Sequence, residues 1–196
     1  MGCYWAVHLL SIDLGNACPY DARSDIINPR QTYYMYENAK NSANADGLRI
    51  AIAVSLYHEQ ITLAMRDAAI EQFAVAGGLE DDLCVVMVPG AFELTAAANA
   101  MAKRDDIDAV VALGCIISGQ TKHDQYIANA VAQGLTMITV QTGVPIAFGV
   151  LTCDSLEQAK ARAGGDKGNK GAEAMAAAIK TVRAIESSST QLTGGG

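Results

Sequence analysis

The stretch DAVVALGCIISGQTKHDQYIANAVAQ, residues 108–133, changes its periodicity part-way along. Residues 108–118 are an almost unbroken apolar run rich in Val and Ile, the pattern of a strand buried on both faces. Gly119 ends the run, a polar turn follows, and from Asp124 to about Gln133 apolar residues recur at helical spacing. A buried strand that passes through a short polar turn into a helix is one half of a parallel crossover.

The same alternation recurs on both sides of that stretch. RIAIAVSL (49–56), LCVVMVP (83–89), MITVQTG (137–143) and IAFGVLTC (146–153) read as further strands. Helical periodicity is expected from about Gln60 to Val75, over 91–103, near 155–163 with Asp154-Ser155 as its N-cap, and over 169–186. Strands alternating with helices predict an α/β fold: a three-layer α/β/α sandwich with a mainly parallel central sheet. Residues 1–47 show no sustained period and are expected to form an irregular N-terminal extension to a domain spanning 48–186. A start at Met35 would make residues 1–34 an upstream-start artefact or a dispensable extension. SSSTQLTGGG, 187–196, has the composition of a flexible tail.

Composition excludes several classes. With 51% hydrophobic residues, the chain is not of the disordered type. Its net charge of −7 argues against a nucleic-acid partner. The absence of a long uncharged apolar stretch argues against a membrane partner, and Ala6 stands where a myristoylation signal needs Ser or Thr. The cysteines number five, with no CxxC or Cys/His cluster. That pattern predicts free, mostly buried thiols, a cytoplasmic location and no metal site.

In a parallel sheet, ligands bind beyond the carboxyl ends of the strands. Here those ends are Ser55 to His58, Pro89 to Glu93, Ile117 to His123, and Thr152. In ISGQTKH (117–123), Gly119 permits a tight turn and close approach by a ligand, while Gln120 and Thr121 can present donors to an anion beside a helix N-terminus. His123 is suited to relaying protons, or it simply caps the helix. Glu93 complements a helix dipole or accepts hydrogen bonds from a polyol. RAGGDKGNKGAE (162–173) is a basic, glycine-rich link in an acidic chain. It is either a phosphate cradle built on Arg162, Lys167 and Lys170 or a solvated interhelical loop. Tyr57 stacks on a planar ring or merely packs, and Phe148 reads as core.

VPGAFE (88–93), GCIISGQTKHDQYIANAVAQGL (114–135), PIAFGVLT (145–152) and RAGGDKGNKGAEA (162–174) together resemble, in order and spacing, the lumazine synthase family. The resemblance implies a flavodoxin-like fold and a transferase of riboflavin biosynthesis. That activity condenses 5-amino-6-(D-ribitylamino)uracil with 3,4-dihydroxy-2-butanone 4-phosphate. The products are 6,7-dimethyl-8-ribityllumazine, phosphate and water, and no cofactor or metal is implied. It further implies that His123 handles protons and that Tyr57 stacks on the pyrimidine. Ala91, Phe92 and Glu93 hold the ribityl chain. Gly119, Gln120 and Thr121 form the phosphate side, and Ile117 is a further substrate-binding residue. Phe148, Arg162 and Lys170 come from a neighbouring subunit, so the resemblance implies a homo-oligomer, a pentamer or a shell of sixty subunits, with active sites between subunits. Departures from the family pattern are Ser118 in place of a common basic residue, Tyr57-His58 in place of Phe-Asn, and Lys122 before His123. Two other functions fit the same sequence. One is an oligomeric cage or scaffold of this fold with weakened catalysis, and the other is a flavodoxin-like module that binds a phosphorylated ligand.

Overall fold

The structure is a computed structural model that describes residues 44–193, with side chains to 188. Most of the expected extension, including Tyr33, Tyr34 and Tyr36, and the last three residues of the expected tail lie outside the described residues. Four strands form one parallel sheet: β1 (Ile50–Ser55), β2 (Leu83–Val88), β3 (Ala109–Ile117) and β4 (Ile146–Cys153), in the order β2-β1-β3-β4. Five helices cover it: α1 (Glu59–Val75), α2 (Leu94–Ala102), α3 (His123–Thr142), α4 (Leu156–Ala161) and α5 (Lys170–Thr193). The expected three-layer α/β/α arrangement is therefore present.

Alternation along the strands sorts the core into two halves. Ile50, Ile52 and Val54 of β1, with Val111, Leu113 and Cys115 of β3, face α1, α4 and α5. On α1 the buried stripe is Ile61, Met65, Ala69 and Phe73, one residue per turn, and α5 answers with Met175, Ala178 and Ile179. The opposite face presents Ala51, Ala53 and Ala112 together with Val110, Ile116 and Val150, and receives Leu94, Ala97 and Ala98 of α2 and Val131, Leu135 and Ile138 of α3. The chain leaves β1 in one direction to reach β2, then crosses over to build β3 and β4 on the other side. The sheet therefore has its topological switch point between β1 and β3, where a crevice opens at the carboxyl ends.

The structure corrects one strand. MITVQTG, 137–143, is the last part of α3 and its cap rather than a strand. Its β-branched residues favour a strand locally, but Val131, Leu135 and Ile138 make a helical stripe that is buried only if the helix continues. Thr136, Thr139 and Thr142 each donate a hydroxyl proton to the carbonyl one turn back, which satisfies them inside a helix. The stop signal is Gly143, at φ 75°, whose N–H donates to Thr139 O. Two boundaries also move. Residues 91–93 form a turn before α2, and α5 runs on to Thr193. Ser155 caps α4 as expected, accepting from Gln158 N–H.

The link between α4 and α5 is a two-stranded hairpin, β5 (Ala163–Gly165) and β6 (Gly168–Asn169). Its glycines are accounted for by this geometry. Gly164 and Gly168 have positive φ, and a Cβ at Gly165 would lie 2.8 Å from Ala161 Cα. Asn169 ties the hairpin to α1: its Nδ2 donates to Ala64 O at 3.2 Å, while its Oδ1 accepts from Gly171 N–H at 2.9 Å. Gly171 sits so close to α1 that a Cβ would be 1.9 Å from Met65 O. Among the described residues, no helix is long and apolar enough to cross a membrane.

Gly171→Ala should therefore separate α5 from α1 and cost at least about 3 kcal/mol, measured by urea unfolding. A second expectation concerns acid. The Arg104 guanidinium, with Arg49 beside it, holds the Asp106 carboxyl down at about 2. A carboxyl depressed in the folded chain stabilises it above the ordinary value near 3.9, and that contribution is lost as pH falls toward 2. The difference in melting temperature between wild type and Asp106→Asn should accordingly shrink as pH falls from about 5 to 2, and should be small throughout because the group is exposed.

Candidate active site

The crevice at the switch point is a cleft of about 860 Å³. Three strand ends build it. Beyond β1, Leu56 N–H donates to Val88 O at 2.8 Å, and the chain then turns through His58, the one non-glycine residue at positive φ among those described. The His58 carbonyl accepts from Ile61 and Thr62 N–H and so opens α1. The same turn sets Tyr57 on the cleft wall, with its ring edge-on to His58 at a centroid distance of 4.6 Å.

Beyond β2, Pro89 and Gly90 lead into Ala91, Phe92 and Glu93. Ala91 is buried beneath the cleft, whereas Phe92 stays exposed. The Glu93 carboxylate folds back over Gly90, and a Cβ there would lie 2.9 Å from Glu93 Oε2. A glycine at 90 thus leaves room for that carboxylate at the cleft wall.

Beyond β3, Ser118 N–H donates to Cys153 O at 2.9 Å, which holds the strand end in the sheet. The loop then runs through Gly119, Gln120 and Thr121 to His123, the first residue of α3. The Gly119 φ is not positive, so the turn itself does not demand glycine, and a Cβ at 119 would meet nothing within 4 Å. Ser118 Oγ donates to Asp124 Oδ2 at 3.1 Å.

Eight of the expected site residues line this single cleft: Tyr57, Ala91, Phe92, Glu93, Ile117, Gly119, Thr121 and His123. Gln120 is exposed in the same loop but is not part of the lining. Phe148, Arg162 and Lys170 also lie outside the cleft of the single chain. Phe148 is not core: it is 46% exposed on the edge strand β4. Arg162 ends α4 and donates to Gln158 O at 3.1 Å, while Lys170 begins α5 and pairs with Glu173.

The cleft also contains residues that the sequence does not single out: Asp124, Tyr126, Ile127 and Ala130. Tyr126, Ile127 and Ala130 stand three, four and seven residues from His123, and that spacing is their available signal, while Asp124 simply follows the histidine in the first turn of α3. Tyr126, Tyr57 and Phe92 are at least 57% exposed, so three aromatic rings border the opening. Such a border suits a planar ring system, and Glu93 and His123 are polar groups on the same cleft wall. Cys115 reaches the cleft but is no nucleophile there, because burial, with Cys153 adjacent, pushes its thiol up to about 12. Among the described residues, no group of three or more His, Cys, Asp or Glu side chains could hold a metal ion.

A family model described as 6,7-dimethyl-8-ribityllumazine synthase matches residues 47–186, a span that contains the sheet and the entire cleft. The chain belongs to this family. It is also 48% identical over 142 residues to proteins named 6,7-dimethyl-8-ribityllumazine synthase from two strains of Thermus thermophilus. Each alignment covers 72% of this chain and 90% of the relative.

The state of Cys115 is open to direct measurement. Alkylation of the native chain at pH 8 should leave Cys115 unmodified in peptide maps, and unfolding in urea should expose it to rapid modification.

Proposed function

We propose that this chain is the transferase that forms 6,7-dimethyl-8-ribityllumazine in riboflavin biosynthesis, releasing phosphate and water. Its substrates would be 5-amino-6-(D-ribitylamino)uracil and 3,4-dihydroxy-2-butanone 4-phosphate. Family membership over 47–186 supports the reaction. The observation that carries the reading of the site is the convergence of eight expected site residues from three strand ends on one cleft.

In this reading, Tyr57 stacks on the pyrimidine and the Ala91–Phe92–Glu93 turn holds the ribityl chain, with Glu93 accepting from its hydroxyls. Gly119, Gln120 and Thr121 flank the phosphate, and Ile117 lines the same cleft as a further substrate contact. The 5-amino group attacks the ketone carbon and one water leaves as the imine forms, phosphate is eliminated, and attack of the ribityl-bearing nitrogen on the carbonyl so generated closes the second ring with loss of a second water. Each step moves protons, and His123 at the mouth of the cleft carries them. Much of the acceleration comes from holding two reactants in register.

Phe148, Arg162 and Lys170 act on the cleft of a neighbouring subunit, Phe148 against the ring, Lys170 toward the pyrimidinedione and Arg162 on the phosphate. Their position outside the chain's own cleft supports this division, as does the exposure of the Phe148 ring on an edge strand. The working unit is therefore a homo-oligomer, a pentamer or a sixty-subunit shell, built from a catalytic domain of residues 48–186. A cytoplasmic location belongs to the same proposal. It is supported by the free thiols of Cys84, Cys115 and Cys153, which a reducing compartment keeps unpaired.

Mixing the protein with the two reactants should generate lumazine absorbance. His123→Ala should lower kcat about 100-fold, and an unchanged rate would remove the histidine from proton transfer. Arg162→Ala should raise KM for the phosphate reactant at least about tenfold with little change in kcat. Light scattering should give a mass at a multiple of five subunits. A monomer with full activity would refute the shared site.

A further inference from the structure

We infer that the hydrogen bond from Ser118 Oγ to Asp124 Oδ2 is a clasp that shapes the 119–123 loop for the phosphate-bearing reactant, making both residues positioning residues for the reaction. The inference rests on the reading of the cleft given above.

Ser118 is the last point at which the chain is fixed to the sheet, through its N–H to Cys153 O. Asp124 is a fixed point on the far side, in the first turn of α3, where Gln125 and Tyr126 N–H both donate to Lys122 O. The five residues between these points include Gly119, Thr121 and His123, all on the cleft wall. The loop has little support from packing at its start, since a Cβ at Gly119 would meet nothing within 4 Å. Its path is therefore set by its ends, and the Ser118–Asp124 bond joins those ends directly. The bond shortens the free segment to a closed ring, which lowers the number of conformations available before a ligand arrives.

The clasp also manages a charge. The Asp124 carboxylate lines the same cleft as the phosphate-side loop. A carboxylate free to rotate there would oppose an anionic ligand. Accepting from Ser118 engages one of its oxygens and holds the group in a defined orientation. The residue types suit a clasp, because a short hydroxyl donor at the strand end and a short acceptor in the first turn of the helix leave no slack.

Steady-state kinetics with both reactants test the clasp. Ser118→Ala and Asp124→Ala should each raise KM for the phosphate reactant about tenfold while leaving KM for the pyrimidine within about twofold, the loss expected for one hydrogen bond to a charged group. The double variant should be no worse than either single, because both remove the same interaction. Ser118→Thr keeps the donor and Asp124→Asn keeps an acceptor, so each should recover most of the loss. Inhibition by inorganic phosphate should weaken in parallel in the two alanine variants. Additive effects in the double variant, equal rises in both KM values, or an asparagine variant as impaired as the alanine one would overturn the clasp. Wild-type protein that forms no lumazine would overturn the functional reading and the clasp with it, whereas an active wild type with additive variants overturns the clasp alone.

Discussion

Small residues on one face of the sheet set how near α2 and α3 can come, and the cleft follows from that distance. On this face β1 presents Ala51 and Ala53 where its other face presents Ile50, Ile52 and Val54, and β3 has Ala112 and Gly114 between Val110 and Ile116. Gly114 goes further: a Cβ there would be 2.9 Å from Leu94 Cδ1 and 3.5 Å from Ala91 Cβ. Leu94 can settle onto the strand only because nothing projects from position 114, and Ala91 follows it down. A similar approach joins the helices themselves, since a Cβ at Gly134 would meet Thr95 Cγ2 at 2.7 Å. With α2 and α3 held in this way, their first turns stand on either side of the β3 end and form two walls of the site.

The chemistry-bearing residues need no long loops, because the parallel strands deliver them to one edge. Each strand places its polar residues just after its carboxyl end and keeps its body apolar, β1 being buried along its whole length. The helices then begin within a few residues, so each polar side chain hangs from a short turn with two rigid neighbours. His58 shows the cost of this economy: a left-handed conformation in a residue with a Cβ is unfavourable by roughly 1–2 kcal/mol, yet it is what sets Tyr57 against the cleft.

Much of this is legible from residues alone. Four of the five strands expected from apolar runs exist, and so do all the helices, because burial on both faces leaves an unmistakable pattern in β1 and β3. The segment 137–143 misleads because its β-branched composition outweighs the weaker stripe of Val131, Leu135 and Ile138, whose burial depends on distant parts of the chain. The hairpin at 163–169 carries no periodicity at all, being three residues against two, so glycine content is its only trace. Within the cleft, the residues on turns stand out by their chemistry. Asp124 and Tyr126 do not, because a helix hides its site-facing members among ordinary surface residues, and only Tyr126 has a helical register to His123 that distinguishes it. Arg162 and Lys170 stand out by the basic, glycine-rich composition of their link, and Phe148 through motif likeness alone, since its place in an apolar run reads as core.

The hairpin has one more consequence. Lys170 N–H donates to Arg162 O at 2.8 Å, closing the excursion at its base, and Asn169 pins the same point to α1. The two cations therefore hang from a single braced frame rather than from independent loops. In the proposed division of labour they would meet different reactants, one at the phosphate and one at the pyrimidinedione. A shared frame fixes the spacing of the two backbone positions from which these side chains start, so under that division the hairpin would act as a gauge for the distance between the two substrates.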